Sequence, residues 1–394
     1  MMKVLFKPQS LFIISIALVY FFIIQFGWVK TWNFLRVPAM TPPHFDLRFY
    51  QYGAAAIEYG YNPLRYGPAH WINLMIQTNS QIPEYYLTQF QIAHFFKLYN
   101  ENYFLIFANV IIIMYLTCCY KIISLNKNSY WILILFLSNG PLLGIERTNN
   151  DLIIFFFLYW SAIFPNTFGA ILNILATTIE FWPAIAGISF IKKKIKLFLI
   201  SLLLIFFIYN FQTISSLSPE ITSGGLSFGS KTIELFLLSS FPSLKIKYFY
   251  INFILIFLTL ITLFVKKYKF FNFEFKRQHN EVEQRLFLIG ASIYCGLFMI
   301  ASNYDYKFIF LIFCIPYLRK IKNKIQKNFV LITILLSSNQ VVENEISLNI
   351  FNNITNSLAL NLIFKCTIFI ILLNLLIKYF LDFYKENGIK KIFF

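Results

Sequence analysis

Apolar runs recur along the chain from residue 11 to residue 377, and Lys and Arg gather in clusters between them. That alternation leaves few folds open. Backbone N–H and C=O groups inside a hydrocarbon layer must satisfy one another, so a chain built from such runs crosses it as helices. A hydrocarbon core of about 30 Å takes roughly 20 residues per helix, and 394 residues allow many crossings. The residue types agree: 58% are apolar, 20% aromatic and 13% charged, more apolar surface than a water-soluble fold can hide. No stretch reads as an appended soluble domain. The expected fold class is all-α, a polytopic transmembrane helical protein with residues 1–394 forming one integral membrane domain.

The net charge of +17 would suggest nucleic acid in a soluble protein. Here the charges sit between apolar runs, which is the pattern of cytoplasmic loops, and no nucleic-acid partner is expected. Lys3 and Lys7 precede an apolar run over 11–27 that no small-x-small cleavage signal follows, so residues 1–29 form the first transmembrane helix, running outward from a cytoplasmic N-terminus. Trp28 and Trp32 fall at its outer interface. Residues 30–102, rich in Tyr, Pro and Trp, form the first external loop, in which 46–59 and 84–99 mix apolar and polar residues as short interfacial helices do. The remaining helices lie in 103–394, at 103–120, 130–143, 152–164, 168–191, 197–211, 248–265, 286–301, 308–318, 329–338 and 358–377. A Ser/Gly-rich external loop follows 197–211, and the C-terminus is cytoplasmic.

The run 168–191 is read as a broken pair meeting at Glu180-Phe181-Trp182-Pro183, because one continuous helix would put Lys192, Lys193, Lys194 and Lys196 outside, and Pro183 disfavours helical geometry at Trp182. The layout contains about twelve helices. It places about two-thirds of the 34 Lys and Arg inside and most of the 17 acidic residues on or near the outside.

Asp46, Glu146, Asp151, Glu180 and Asp305 stand beside helix ends, with Arg48, Arg147 and Lys307 close in sequence, and ionisable groups at that depth mark functional cavities. Cys118, Cys119, Cys295, Cys314 and Cys366 lie in apolar runs without zinc-type spacing, and His44, His70, His94 and His279 are scattered. Neither a metal nor a cofactor is expected.

Four segments carry a resemblance. His44-Phe45-Asp46-Leu47-Arg48-Phe49-Tyr50, followed by Ala54-Ala55-Ala56 and Gly60-Tyr61-Asn62-Pro63-Leu64, looks like the first external loop of GT-C glycosyltransferases, and more narrowly resembles glycosyltransferase family 87. Gly144-Ile145-Glu146-Arg147-Thr148-Asn149-Asn150-Asp151, Glu180-Phe181-Trp182-Pro183 and Asn303-Tyr304-Asp305-Tyr306-Lys307 are similar to that family in the same order, over roughly the first four-fifths of the chain. Two positions depart: the family commonly has lysine where Glu180 stands and arginine where Lys307 stands. Glu180 is therefore given no catalytic role.

The resemblance implies a GT-C fold and inverting transfer of a sugar, mannose or another hexose or pentose, from a polyprenyl-phosphate donor to a glycan or lipid acceptor. The site would face the external, periplasmic side of a bacterial plasma membrane, with membrane lipids as further partners. It makes Asp46 the catalytic base and places Arg48, Tyr50, Glu146, Arg147, Asn150, Asp151, Tyr304, Asp305 and Lys307 in substrate binding, with Arg48, Arg147 and Lys307 as candidates for the phosphate. Tyr50, Tyr61, Tyr66 and Trp71 suit sugar stacking.

Plainer roles compete. Asp46 suits a helix cap, Arg147 a pair with Glu146 or Asp151, Asp305 a pair with Lys307, and the aromatic residues interfacial anchoring. The rival function is a flippase or transporter of lipid-linked saccharides, but no repeated second half is found.

Overall fold

The computed structural model describes residues 7–60, 63, 86–125, 130–180, 182–190, 227–240, 243, 246–264, 273–275, 280–300, 303–338 and 354–387. The regular structure among the described residues is helical apart from one two-residue antiparallel pair, Ser227–Phe228 (β1) with Asn303–Tyr304 (β2), and one isolated bridge between Phe275 and Ile321. Four helices are long and apolar enough to cross a membrane: Pro8–Phe26 (α1), Glu101–Leu125, Glu281–Ile300 and, within a longer helix, Leu360–Phe383. The expected runs at 197–211 and the lysines at 192–196 lie outside the described residues, as do Tyr61, Tyr66 and Trp71.

Helix α1 has an almost evenly apolar surface and buries little more than Pro8 and Phe12, leaving Ile13, Leu18, Phe21 and Ile24 exposed. An apolar surface of that kind suits a membrane interior or burial against other apolar surface. After a break at Gly27 (φ 81°), Trp28–Phe34 (α2) turns the chain toward two short helices, Phe45–Glu58 (α3) and Tyr86–Phe95 (α4), which fall within two residues of the expected 46–59 and within four of 84–99. They pack through small residues. A Cβ on Gly53 would sit 2.2 Å from the Phe90 ring, so glycine is what lets the helices approach, with Ala54 and Ala93 buried beside it.

Glu101–Leu125 (α5) follows. The run 130–143, expected as one helix, is two: Tyr130–Phe136 (α6) and Asn139–Arg147 (α7). Ser138 breaks it with an extended backbone (ψ 160°), and Pro141 falls in the first turn of α7, where the missing N–H costs nothing. Asp151–Ile163 (α8) and Thr167–Ile179 (α9) come next. The expected break at Glu180 is present, because α9 ends there in an extended residue, but its second arm, Trp182–Phe190, winds as a 3-10 helix. The segment expected as a Ser/Gly-rich loop contains Ser230–Ser240 (α10), followed by Tyr248–Phe264 (α11).

Glu281–Ile300 (α12) is the central helix and is buried along most of its length. Against it lies Asp305–Cys314, expected to be a plain helix from 308, which is instead a ten-residue 3-10 helix running into the short helix Ile315–Leu318 (α13). Three residues per turn place every third side chain on one face. Lys307, Phe310 and Phe313 meet Trp182 and Phe155, with Phe155 and Phe313 stacked at 4.1 Å. Asp305 and Phe308 meet Lys365 and Tyr294. Lys324–Ser338 (α14) and Ile354–Asn387 (α15) complete the described chain, and one contiguous apolar cluster links α1 to α15.

Gly290 sits where α12 meets the 3-10 segment. A Cβ there would lie 2.5 Å from the Phe310 carbonyl oxygen and 2.9 Å from Cys314 Sγ, so the backbone itself would have to move. Gly290→Ala is expected to cost about 1–3 kcal/mol, read as a lower midpoint in thermal unfolding of the purified protein.

Candidate functional site

The loop between α7 and α8 and the start of α3 come together around Asp46. Asn149 donates from Nδ2 to Asp46 Oδ2 at 2.7 Å, and Arg147 Nη1 stands 3.9 Å from Oδ1. Asp46 lies in the first turn of α3, yet no backbone N–H of that helix bonds its carboxylate, so capping is not its role. Its negative charge still sits favourably at the positive end of the helix. Burial pushes its carboxyl up, opposed by the Asn149 hydrogen bond and the Arg147 charge. About a quarter of the side chain (26%) is nonetheless exposed.

The backbone is bent to make this arrangement. His44 (φ 61°) and Thr148 (φ 47°) are both left-handed, a conformation costing about 1–3 kcal/mol in a residue with a side chain. They meet: His44 Nδ1 is 2.7 Å from Thr148 Oγ1, whose hydroxyl donates to the Ile145 carbonyl, so the histidine is the donor. Burial and the nearby Arg48 lower the His44 pKa to about 4, keeping the ring neutral. Asn149 secures the next turn by accepting the Asp151 backbone N–H at 2.9 Å.

Glu146 is wholly buried. The Met40 backbone N–H (2.8 Å) and the Trp28 indole N–H (3.3 Å) donate to its Oε1, while Arg147 Nε lies 2.8 Å from Oε2, off the hydrogen-bond direction. Burial raises the Glu146 carboxyl, and those donors and Arg147 lower it. Trp28, expected as an interfacial anchor, is thus also a ligand of this carboxylate. Arg147 pairs with Glu146 and stands near Asp46, not with Asp151, and its terminal nitrogens make no hydrogen bond to a described residue.

Arg48 is occupied elsewhere. It makes a two-pronged pair with Glu101 (2.8 and 3.0 Å), donates to Pro43 O and Gln51 Oε1, and lies over the Phe104 ring, fastening α3 to the start of α5. Tyr50 is hydrogen-bonded to Asn150.

Lys307 holds the third part of the cluster. Its Nζ donates to Asp151 Oδ1 (3.3 Å) and Glu180 Oε2 (3.1 Å) and rests 4.4 Å from the Trp182 ring, whose N–H also donates to Glu180. The pair expected between Lys307 and Asp305 is absent. Asp305 meets Lys365 of α15 through both oxygens, at 2.9 and 3.0 Å, with both side chains buried. The backbone of Tyr304 is in β2, opposite Ser227 of β1. Electrostatics join the rest: the charge of Glu180 acts on Asp46, and those of Asp46 and Glu180 act on Asp151.

The structure therefore gathers Asp46, Tyr50, Glu146, Arg147, Asn150, Asp151 and Lys307, and sets Arg48 and Asp305 aside in their own ion pairs. Sequence reasoning missed Glu101, Gln51, Trp28 and Lys365 as partners; it grouped Glu180 with the other ionisable residues at helix ends but gave it no catalytic role. The signal for Lys365 was present, a lone lysine inside an apolar run. Among the described residues no three His, Cys, Asp or Glu side chains gather closely enough to hold a metal ion. No family model, curated protein or solved structure matches the chain.

Proposed function

We propose that this protein is a multi-pass membrane glycosyltransferase of GT-C type, which moves a sugar from a polyprenyl-phosphate carrier to a glycan or lipid acceptor on the external face of a bacterial plasma membrane. The observation that carries the reading is Asp46: a reachable carboxylate on a short helix beside apolar spans, held by Asn149 and flanked by Arg147. The alternation of basic clusters and apolar runs supports the topology.

In the proposed reaction the acceptor hydroxyl gives its proton to Asp46 as its oxygen bonds to the anomeric carbon. The bond from that carbon to the phosphate oxygen breaks on the opposite face, its electron pair stays with the phosphate, and the configuration inverts. The leaving polyprenyl phosphate is already a stable anion, so one well-placed cation suffices to hold it. Of the three cations first considered, Arg48 is locked to Glu101 and Lys307 is shared by two carboxylates. Arg147 keeps its terminal nitrogens for a ligand, and a guanidinium fork suits phosphate.

The test is sugar transfer by the purified protein from a panel of polyprenyl-phosphate sugars. Turnover with inversion supports the reading. Movement of lipid-linked saccharide across liposomes without transfer replaces it with a flippase.

A further inference from the structure

Each of the three guanidinium nitrogens of Arg48 is engaged by the protein. Nε donates to the Pro43 carbonyl at 2.9 Å, Nη1 to Gln51 Oε1 (2.8 Å) and Glu101 Oε2 (3.0 Å), and Nη2 to Glu101 Oε1 (2.8 Å). Gln51 closes the circuit by donating from Nε2 to Glu101 Oε2 at 2.9 Å, and the guanidinium lies 4.6 Å from the centre of the buried Phe104 ring. Stability does not account for so much geometry, because the Glu101 side chain is half-exposed (52%) and an ion pair open to water is worth little. Position does. The turn that carries Asp46 runs between Pro43 and Arg48, and its N-cap, His44, is left-handed and makes no side-chain cap bond. A first turn without a cap keeps unsatisfied N–H groups and is not fixed by its own helix. Two outside ties fix it instead: His44 joins it to Thr148, and Arg48 bridges it from Pro43 to Glu101 and Phe104 of α5. Asn149 and Arg147, which meet Asp46, belong to the chain between α7 and α8 and its approach, so the reach of the carboxylate toward them depends on where α5 holds the turn.

We infer that Arg48 and Glu101 are positioning residues: together they clamp the first turn of α3 to α5 so that the Asp46 carboxylate is presented to Asn149, Arg147 and the reacting hydroxyl. This rests on the transferase reading and gives Arg48 a task other than holding phosphate. Proton transfer in step with bond formation tolerates little displacement of the base, so a turn that drifts costs rate even when the carboxylate itself is unchanged. The two-pronged fork is what the task needs, because two parallel hydrogen bonds fix direction as well as distance. A phosphate-gripping arginine and a positioning arginine also respond in opposite ways to the loss of Glu101. The first is set free to bind its ligand, and the second loses its anchor.

The test uses the full-length protein, with the folding of each variant checked by thermal unfolding. Glu101→Ala should lower kcat for sugar transfer about ten- to a hundredfold, the scale of a small misplacement of a reacting group, and leave the KM for the polyprenyl-phosphate sugar near wild type. Arg48→Lys, which keeps the charge and loses the fork, should do the same. A lower donor KM with kcat unchanged in Glu101→Ala would mean that Arg48 grips the phosphate, and overturns the inference. In the Asp46→Asn background neither substitution should slow the residual transfer further, because the group they position no longer acts as a base. A second fall of the same size marks a merely structural role and overturns it too. The geometry is also read without turnover: in the double variant Asp46→Cys with Asn149→Cys, a short bis-thiosulfonate reagent should join the two positions, and adding Glu101→Ala should slow the joining severalfold. Equal rates of joining overturn the inference whatever the transfer assay gives. Joining that slows as expected in a protein that transfers no sugar removes the transferase reading and leaves the clamp on residue 46 standing, so the two fail separately.

Discussion

Asp46→Asn lowers sugar transfer by about 10²–10⁴-fold, the usual worth of a positioned general base, with donor binding and thermal stability kept near wild type. The exchange is nearly isosteric, and an amide oxygen still accepts the 2.7 Å hydrogen bond from Asn149. What it cannot do is take the acceptor's proton. The wild-type pH profile gives an independent reading of the same group. A base works deprotonated, so the rate falls as pH drops through its pKa, and burial places that fall above the ordinary range of an aspartate. The acid limb should vanish from the residual activity of the variant. Full activity in Asp46→Asn would remove the mechanism.

Lys365→Met should cost about 3–5 kcal/mol, because it leaves a buried carboxylate without its counter-charge. Asp305 and Lys365 are among the most deeply buried charges described, and they tie α15 to the 3-10 segment two residues before Lys307. The double variant Lys365→Met with Asp305→Asn removes both charges and should regain a good part of the loss, since a neutral amide is cheaper to bury than a lone carboxylate. Thermal unfolding of the purified variants decides it. A single variant as stable as wild type would mean the two charges are not paired in the protein.

The difference between what sequence revealed and what it concealed follows from these two residues. Asp46 was legible as a candidate base only through the resemblance of its segment to a known family's first external loop, although Asn149, which holds it, lies 103 residues along the chain. The pairing of Asp305 was not. Proximity in sequence suggested Lys307, but in a 3-10 helix residues two apart point about 120° away from each other, so they face different neighbours. Nothing in an apolar run distinguishes 3-10 from α winding, and the partner that Asp305 does find is 60 residues away. The same holds for Arg48, whose Glu101 lies 53 residues along the chain. Breaks were more readable where proline marks them. Pro183 revealed the end of α9, whereas the Ser138 break was overlooked although Pro141 stands three residues beyond it.

The tight winding of Asp305–Cys314 also has a consequence for reach. At about 2.0 Å per residue its ten residues cover roughly 20 Å, where α winding at 1.5 Å would cover about 15 Å. Lys307 near one end and Cys314 at the other are both fixed by packing, so the segment works as a spacer of set length. Substitutions that favour α winding would shorten it by up to a third of a hydrocarbon half-layer, about 5 Å. Their effect would be felt first as a change in how far Lys307 stands from Asp151, with no change in the polarity of any side chain.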